Sequence, residues 1–304
     1  MPQQVALFMV PRERNGKIGV PLPCNRIGRC IMFGHSRRTG SLPAMATTLE
    51  LIYHSTVRHV RKKNGNAVLA LMTSMTKGIV MLGAFYAMFT LLDIRGAAIR
   101  GDFMLYLMSG IFLFLSHNAG LAAVMGAEGP TSPMMKHAPM NTAIAISSAA
   151  LAALYVQILA MLTLLFIYHV AFTPIYIPNP AGAFAMFVLA WFAGCSIGLV
   201  LLALKPWMPG TISLVSTIYQ RVNMIASGKM FVANTLPASM VALFDWNPLF
   251  HAIDQARGFM FLNYFPRNSS ISYPIWFAIA FLMLGLLGEF VTRKNASLSW
   301  GARR

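Results

Sequence analysis

Asp245, His251, Asp254 and Arg257 cluster in one short stretch of the chain, and carboxylates beside an imidazole are the raw material of acid–base chemistry. The cluster does not grow into a catalytic set. The sequence has no G-x-x-x-x-G-K-[ST] phosphate loop, no H-E-x-x-H and no G-x-S-x-G, so any energy source lies in another chain. Cys24, Cys30 and Cys195 have neither metal-ligand spacing nor a disulfide framework and read as free thiols. The chain is therefore read as no enzyme, with no catalytic residue, no metal site and no cofactor of its own. The other residues able to do chemistry sit in apolar surroundings: Lys77, His117, Asn118, Gln157, Arg221 and Glu289. An ionisable group at membrane depth either faces a bundle interior and marks a pathway, or snorkels or pairs. Both readings hold for Lys77, whereas Glu289, so near Arg293, fits pairing better.

The elements that position these groups are membrane spans. Of 304 residues 57% are hydrophobic and only 11% charged, with a mean hydropathy of +0.62, far from the roughly 25% charge of soluble domains. The net charge of +16 is not a nucleic-acid footprint. Of the 24 Lys and Arg, 11 lie in the first 63 residues, where they flank the apolar part. Six segments suffice to cross a bilayer, near 67–92, 103–125, 143–172, 183–204, 211–227 and 274–292. The third is long enough to tilt, and the fifth is short and carries Arg221. Arg58, Arg61, Lys62 and Lys63 before the first span, and Arg293, Lys294, Arg303 and Arg304 after the last, put both termini in the cytoplasm. Ala190, Gly194 and Gly198 form a small-residue ridge suited to close helix packing.

Between the fifth and sixth spans, residues 224–264 are too apolar for a plain loop and too broken for a span. Gly228, Pro237 and Pro248 interrupt them, and Asp245, Asp254 and Arg257 charge them. Asn247 suits an N-cap and Pro248 a first turn. From there Leu249, Ile253, Ala256 and Met260 share one face, and His251, Asp254, Gln255 and Gly258 the other, predicting one apolar and one wet side. An interfacial helix and a re-entrant element at the mouth of a pathway both fit, because broken backbone at membrane depth needs protein or water around it.

Residues 1–44 hold seven Lys and Arg, five Gly and five Pro without a periodic face, so they read as a disordered basic leader. They are either an over-extended start, with Met45 beginning a transmembrane domain at 45–304, or a regulatory tail before that domain. Thr48 to Lys63 form a basic amphipathic helix, with Leu49, Ile52, Tyr53, Thr56 and Val60 opposite Glu50, His54, Arg58 and Arg61. Such a helix lies on an anionic surface. In the inner loop at 126–141, Ser132 caps and Pro133 opens a short helix that Pro139 stops, carrying Lys136 and His137 after Glu128. It is either a surface turn or a docking element.

The loop EGPTSPMMKHAPMN and the stretch MIASGKMFVANTLPASMVALFDWNPLFHAIDQARG resemble the permease subunits of ABC-2-type transporters. The resemblance is nearest to those exporting capsular polysaccharide from Gram-negative bacteria, and it covers about 46–304. Ser227-Gly228, Leu236-Pro237, Asn247-Pro248-Leu249, His251 and Arg257 carry the second part. Lys229 departs from it, since the family pattern has an apolar residue there. The resemblance implies an all-α membrane protein of the inner membrane, with six transmembrane helices, an N-terminal interfacial helix and re-entrant helices between the fifth and sixth spans. It implies a homodimer driven by a cytoplasmic ABC ATPase dimer that holds ATP and Mg. It further implies a lipid-linked capsular or other surface polysaccharide as cargo, with periplasmic and outer-membrane export components as further partners.

Carried onto this chain, Glu128, Ser132, Pro133, Lys136 and His137 couple to the ATPase, and Arg58, Arg61, Lys62 and Lys63 belong to the interfacial helix. Lys77, Tyr219, Arg221, Asn223 and Phe231 line the substrate pathway. Asp245, Trp246, Asn247, Pro248, His251, Asp254 and Arg257 build the outer re-entrant segment, where aromatics such as Phe231, Phe244, Trp246 and Phe250 stack weakly on sugar rings or form an interfacial belt. The competing expectations are an ABC-2 exporter of a lipid or drug and a non-ABC transporter or enzyme. A secondary transporter of the latter kind would show an internal repeat.

Overall fold

Prolines and side-chain caps divide this chain into its helices. In the computed structural model, residues 41–64, 66–91, 102–129 and 141–295 are described. Asp102 caps α3, its carboxylate accepting from the Met104 N–H at 2.9 Å. Asn179 caps α5 ahead of Pro180, and Asn247 caps α8 ahead of Pro248, each satisfying a backbone donor that a helix start leaves open. The helices are α1 (Ser41–Asn64), α2 (Ala67–Leu91), α3 (Phe103–Met125), α4 (Thr142–Ala171), α5 (Pro180–Leu204), α6 (Pro209–Ala226), α7 (Ala238–Phe244), α8 (Pro248–Met260) and α9 (Ser272–Asn295), with one 3-10 turn at Ala233–Thr235. Two compact units divide the chain at Ala46 and Thr47. Of the first, only the opening of α1 is described.

Among the described residues, α2, α3, α4, α5 and α9 are long and apolar enough to cross a membrane, so the chain has the make-up of a multi-pass membrane protein. The expected fifth span is present as α6 but falls short of that standard: it has 18 residues, and Gln220, Arg221 and Asn223 lower its hydropathy. The helix expected from Thr48 begins earlier, at Ser41. Its Ser55 hydroxyl lies 3.0 Å from that of Ser148 on α4.

The core is a tight frame of α3, α5 and α9. A methyl group on Gly194 would lie 2.1 Å from the His117 carbonyl oxygen, and one on Gly198 2.7 Å from that of Leu121. The small-residue ridge of α5 therefore seats α3 backbone to backbone. One turn of the same logic repeats on α9, where a methyl on Gly285 would come within 2.7 Å of the Leu199 side chain. Trp207 Nε1 donates to the Thr292 hydroxyl at 3.0 Å, which donates to the Ala203 carbonyl at 2.9 Å, tying the ends of α5 and α9. Glu289 on α9 accepts from the Thr142 hydroxyl at 2.7 Å. The outward faces of α2, α4 and α9 leave Val80, Phe166 and Phe290 exposed, the pattern of helices whose outer solvent is lipid.

Candidate functional site

Segment 227–271 packs on the half of the frame formed by the starts of α3 and α5. Its levels follow from its contacts. Phe259 on α8 packs against Gly182 near the start of α5, and the Arg257 guanidinium lies 4.1 Å over the Tyr106 ring near the start of α3. At the other end of α8, Asn247 Nδ2 donates to Asn223 Oδ1 at 2.7 Å and to the Ala226 carbonyl at 3.0 Å, at the end of α6. At about 1.5 Å per residue, Pro248 lies roughly 14 Å from Arg257 along α8. The short link 245–247 joins α7 to α8 beside the end of α6.

The predicted division of α8 into a dry and a wet face does not hold. Leu249, Ile253 and Ala256 are buried, and so are His251, Asp254 and Arg257, at 4%, 2% and 1% exposure. The polar face is satisfied by the chain's own loops. His251 Nε2 lies 2.8 Å from the Asp245 carbonyl, and its Nδ1 accepts the Ser270 N–H at 3.2 Å. That acceptor role assigns the ring proton to Nε2. Asp254 accepts from the Tyr264 hydroxyl and, at 2.6 Å, from Ser269. Burial first, then the Asp254 charge, push the Tyr264 pKa above its usual value, which keeps the phenol a donor.

Arg257 is the centre of the arrangement. It donates to the carbonyls of Gly228 at 3.0 Å, Lys229 at 2.8 Å and Phe231 at 2.7 Å. A loop that cannot satisfy its carbonyls with its own backbone is thus closed by one guanidinium, whose fixed fork of donors suits the task. The turn begins at Gly228, whose φ of +74° favours glycine. Lys229 follows, 1% exposed, with Nζ 3.4 Å from the Phe114 ring centre and 5.3 Å from that of Phe85. Among the described residues no hydrogen-bond acceptor meets that ammonium. Gly110 makes room, since a methyl there would lie 2.8 Å from Lys229 Cβ.

The residues expected to line a pathway separate into two groups. Lys77 and Arg221 are exposed on the outside of the single chain, as is Asp245, whose side chain is 59% exposed. All three stand near mid-helix level. Lys77 precedes Gly78, which packs on Phe112 and Leu115, and Arg221 lies between Tyr219 and Asn223. The other group is internal. Asn223 is fully buried on Asn247, and the Tyr219 hydroxyl lies 3.0 Å from Nε2 of buried His117, whose Nδ1 meets the Ala190 carbonyl at 2.9 Å. Phe231 is half-buried against Phe244, Pro248 and Phe250 are buried, and Trp246 is half exposed.

On the other side of the molecule Glu128 is half-buried and Arg58 is exposed. Ser132, Pro133, Lys136 and His137 lie outside the described residues, as do the side chains of Arg61, Lys62 and Lys63. Sequence reasoning missed the role of Lys229, which stood out as a misplaced charge, and the roles of Tyr264 and Ser269, which carry no local signal. No family model matches this chain, and no curated protein matches it in sequence.

Proposed function

We propose that this chain is the membrane-spanning permease subunit of an ATP-driven exporter. It works as a homodimer in a bacterial inner membrane with both termini in the cytoplasm, and it carries a lipid-linked surface polysaccharide outward. One observation carries the reading. Lys77, Arg221 and Asp245 are exposed at mid-helix level on a molecule whose outward faces are otherwise apolar. Hydrocarbon does not solvate such groups, so they belong against a water-filled path or a protein partner. A path between two copies, bordered by α2 and α6, meets that demand. It also explains why α6, too polar for lipid on all sides, serves as the sixth crossing element, with α7 and α8 as the re-entrant wall at the outer side.

The chain's own part is to build and move that wall. The frame holds still because the backbones of α3 and α5 touch and α9 packs closely on α5, while α2 and α6 border the path. Exposed charges orient a chain in transit, and Trp246 and half-buried Phe231 and Phe244 offer sliding contacts. The chain has no phosphate loop, so hydrolysis belongs to a separate ATPase that docks at 126–141, and differential contact with its two states drives opening. The test is affinity purification of the full chain from membranes, with mass spectrometry and an ATP hydrolysis assay. A stoichiometric ATPase bearing a phosphate loop is expected. A chain that elutes as a monomer, without ATPase in any detergent, overturns the reading.

A further inference from the structure

Lys229 has only aromatic faces to compensate its charge. Its ammonium carries three donors and meets no acceptor among the described residues, and its stem lies against Gly110 with 1% exposure. Aromatic faces compensate a cation in part, yet an unbranched apolar side chain would fill the same space without desolvating a charge. The charge balance around it is also uneven. Lys229 and Arg257 share the space beside Gly110, where a methyl would lie 2.8 Å from Lys229 Cβ and 3.1 Å from Arg257 Nη2. The one buried carboxylate of α8, Asp254, is already engaged by Tyr264 and Ser269. Arg257 is committed to three carbonyls. Arg257 leaves only its Nε without an acceptor, whereas among the described residues the Lys229 ammonium has none for any of its donors.

The loop is tied together as a unit. Gly228 gives it a left-handed hinge at one end, and a single side chain, Arg257, holds carbonyls along it. The flanking rings, Phe85 on α2 and Phe114 on α3, belong to two different helices, so a shift of α2 opens the box.

We propose that Lys229 is an oxyanion-binding residue held in store: capped by Phe85 and Phe114 in this state, it engages a carboxylate or phosphate when α2 draws away. The oxyanion chemistry rests on the local charge balance, and only its assignment to a cargo rests on the exporter reading. A lysine with three free donors at a hinge matches a carboxylate or phosphate as a point charge, and its retreat onto aromatic faces lets the anion go again.

The experiment is amine footprinting of the full chain in membranes of the producing cell, followed by mass spectrometry, with Lys294 as the exposed reference. Lys229 is expected to react at least about tenfold more slowly than Lys294, at a rate set by local opening. Three probes are compared: an oligoglucuronate, its carboxyl-reduced neutral counterpart, and inorganic phosphate. Protection of Lys229 but not Lys294 by oligoglucuronate assigns a carboxylate of a chain, and protection by phosphate alone assigns a phosphate. Equal protection by the neutral oligosaccharide, protection by none of the three, or a Lys229 that never reacts overturns the proposal. Lys229→Met, which keeps the length of the side chain and drops the charge, is expected to fold and to abolish any charge-dependent protection of neighbouring labelled sites. None of these readouts requires the ATPase, so the exporter reading fails or stands separately.

Discussion

Replacing Arg257 by alanine tests whether one guanidinium holds the loop at 228–231 in place. The substitution strands three buried carbonyls, those of Gly228, Lys229 and Phe231. Each unsatisfied group costs about 1–3 kcal/mol. Loss of the stacking on Tyr106, 4.1 Å away, adds up to about 2 kcal/mol in a desolvated setting. Relaxation of the loop recovers part of this sum, which leaves about 3–5 kcal/mol, the usual cost of breaking a buried charged interaction. The loop opens locally before the frame does, so amide hydrogen exchange reads the effect directly. A loss of about 3 kcal/mol corresponds to exchange about a hundredfold faster. Amides at 228–232 are expected to show that acceleration, while those of α3 and α5 around His117 and Gly194 keep their protection. Arg257→Lys, whose single head cannot span three acceptors, should recover only part of it. Unchanged exchange at 228–232 in the alanine variant refutes the clamp.

Four further substitutions probe the frame, the loop at 228–231 and the exposed charges. Gly194→Ala forces a methyl into the His117 carbonyl, 2.1 Å away, and is expected to cost at least about 3 kcal/mol, seen as loss of folded protein by size-exclusion fluorescence. Gly110→Ala pushes on the Lys229 backbone from 2.9 Å; about 1–3 kcal/mol of overpacking should appear as faster exchange confined to the loop and the facing turn of α3. Lys77→Gln and Arg221→Gln remove exposed charges that make no contact the folding of one chain needs. Thermal stability of the monomeric fraction is expected to shift by less than about 0.5 kcal/mol, while on the exporter proposal transport falls. A large stability loss at either position places that residue inside the chain's own core instead.

The helices were legible because their boundaries are local chemistry. Asp102, Asn141, Asn179 and Asn247 each cap the helix that follows, and the ridge of Ala190, Gly194 and Gly198 reports close packing without naming its partner. The wet face of α8 was misread for a physical reason. A helical pattern tells which side chains are polar, not what satisfies them. Here Ser269, Ser270 and Tyr264 fold back from beyond the helix to do so. For Lys77 and Arg221 the limit is different: depth in a bilayer follows from spacing, whereas the interior of one chain and the seam between two give the same pattern. Lys229 was visible only as a charge out of place. Its aromatic box joins α2 and α3 to a loop far along the chain, and no spacing rule reaches that distance.

The contact of α3 with α5 also bears on how this chain tolerates change. Where backbones touch, as at Gly194 on His117 and Gly198 on Leu121, even one added carbon collides, so the positions least free to vary are among the smallest and chemically blandest. The charged side chains on the outside carry no such burden. A saturation mutagenesis survey read by protein abundance would find its deepest intolerance along a line of glycines, while Lys77 and Arg221 drift freely. On the exporter proposal, cargo preference can then change on the surface without renegotiating the frame beneath it.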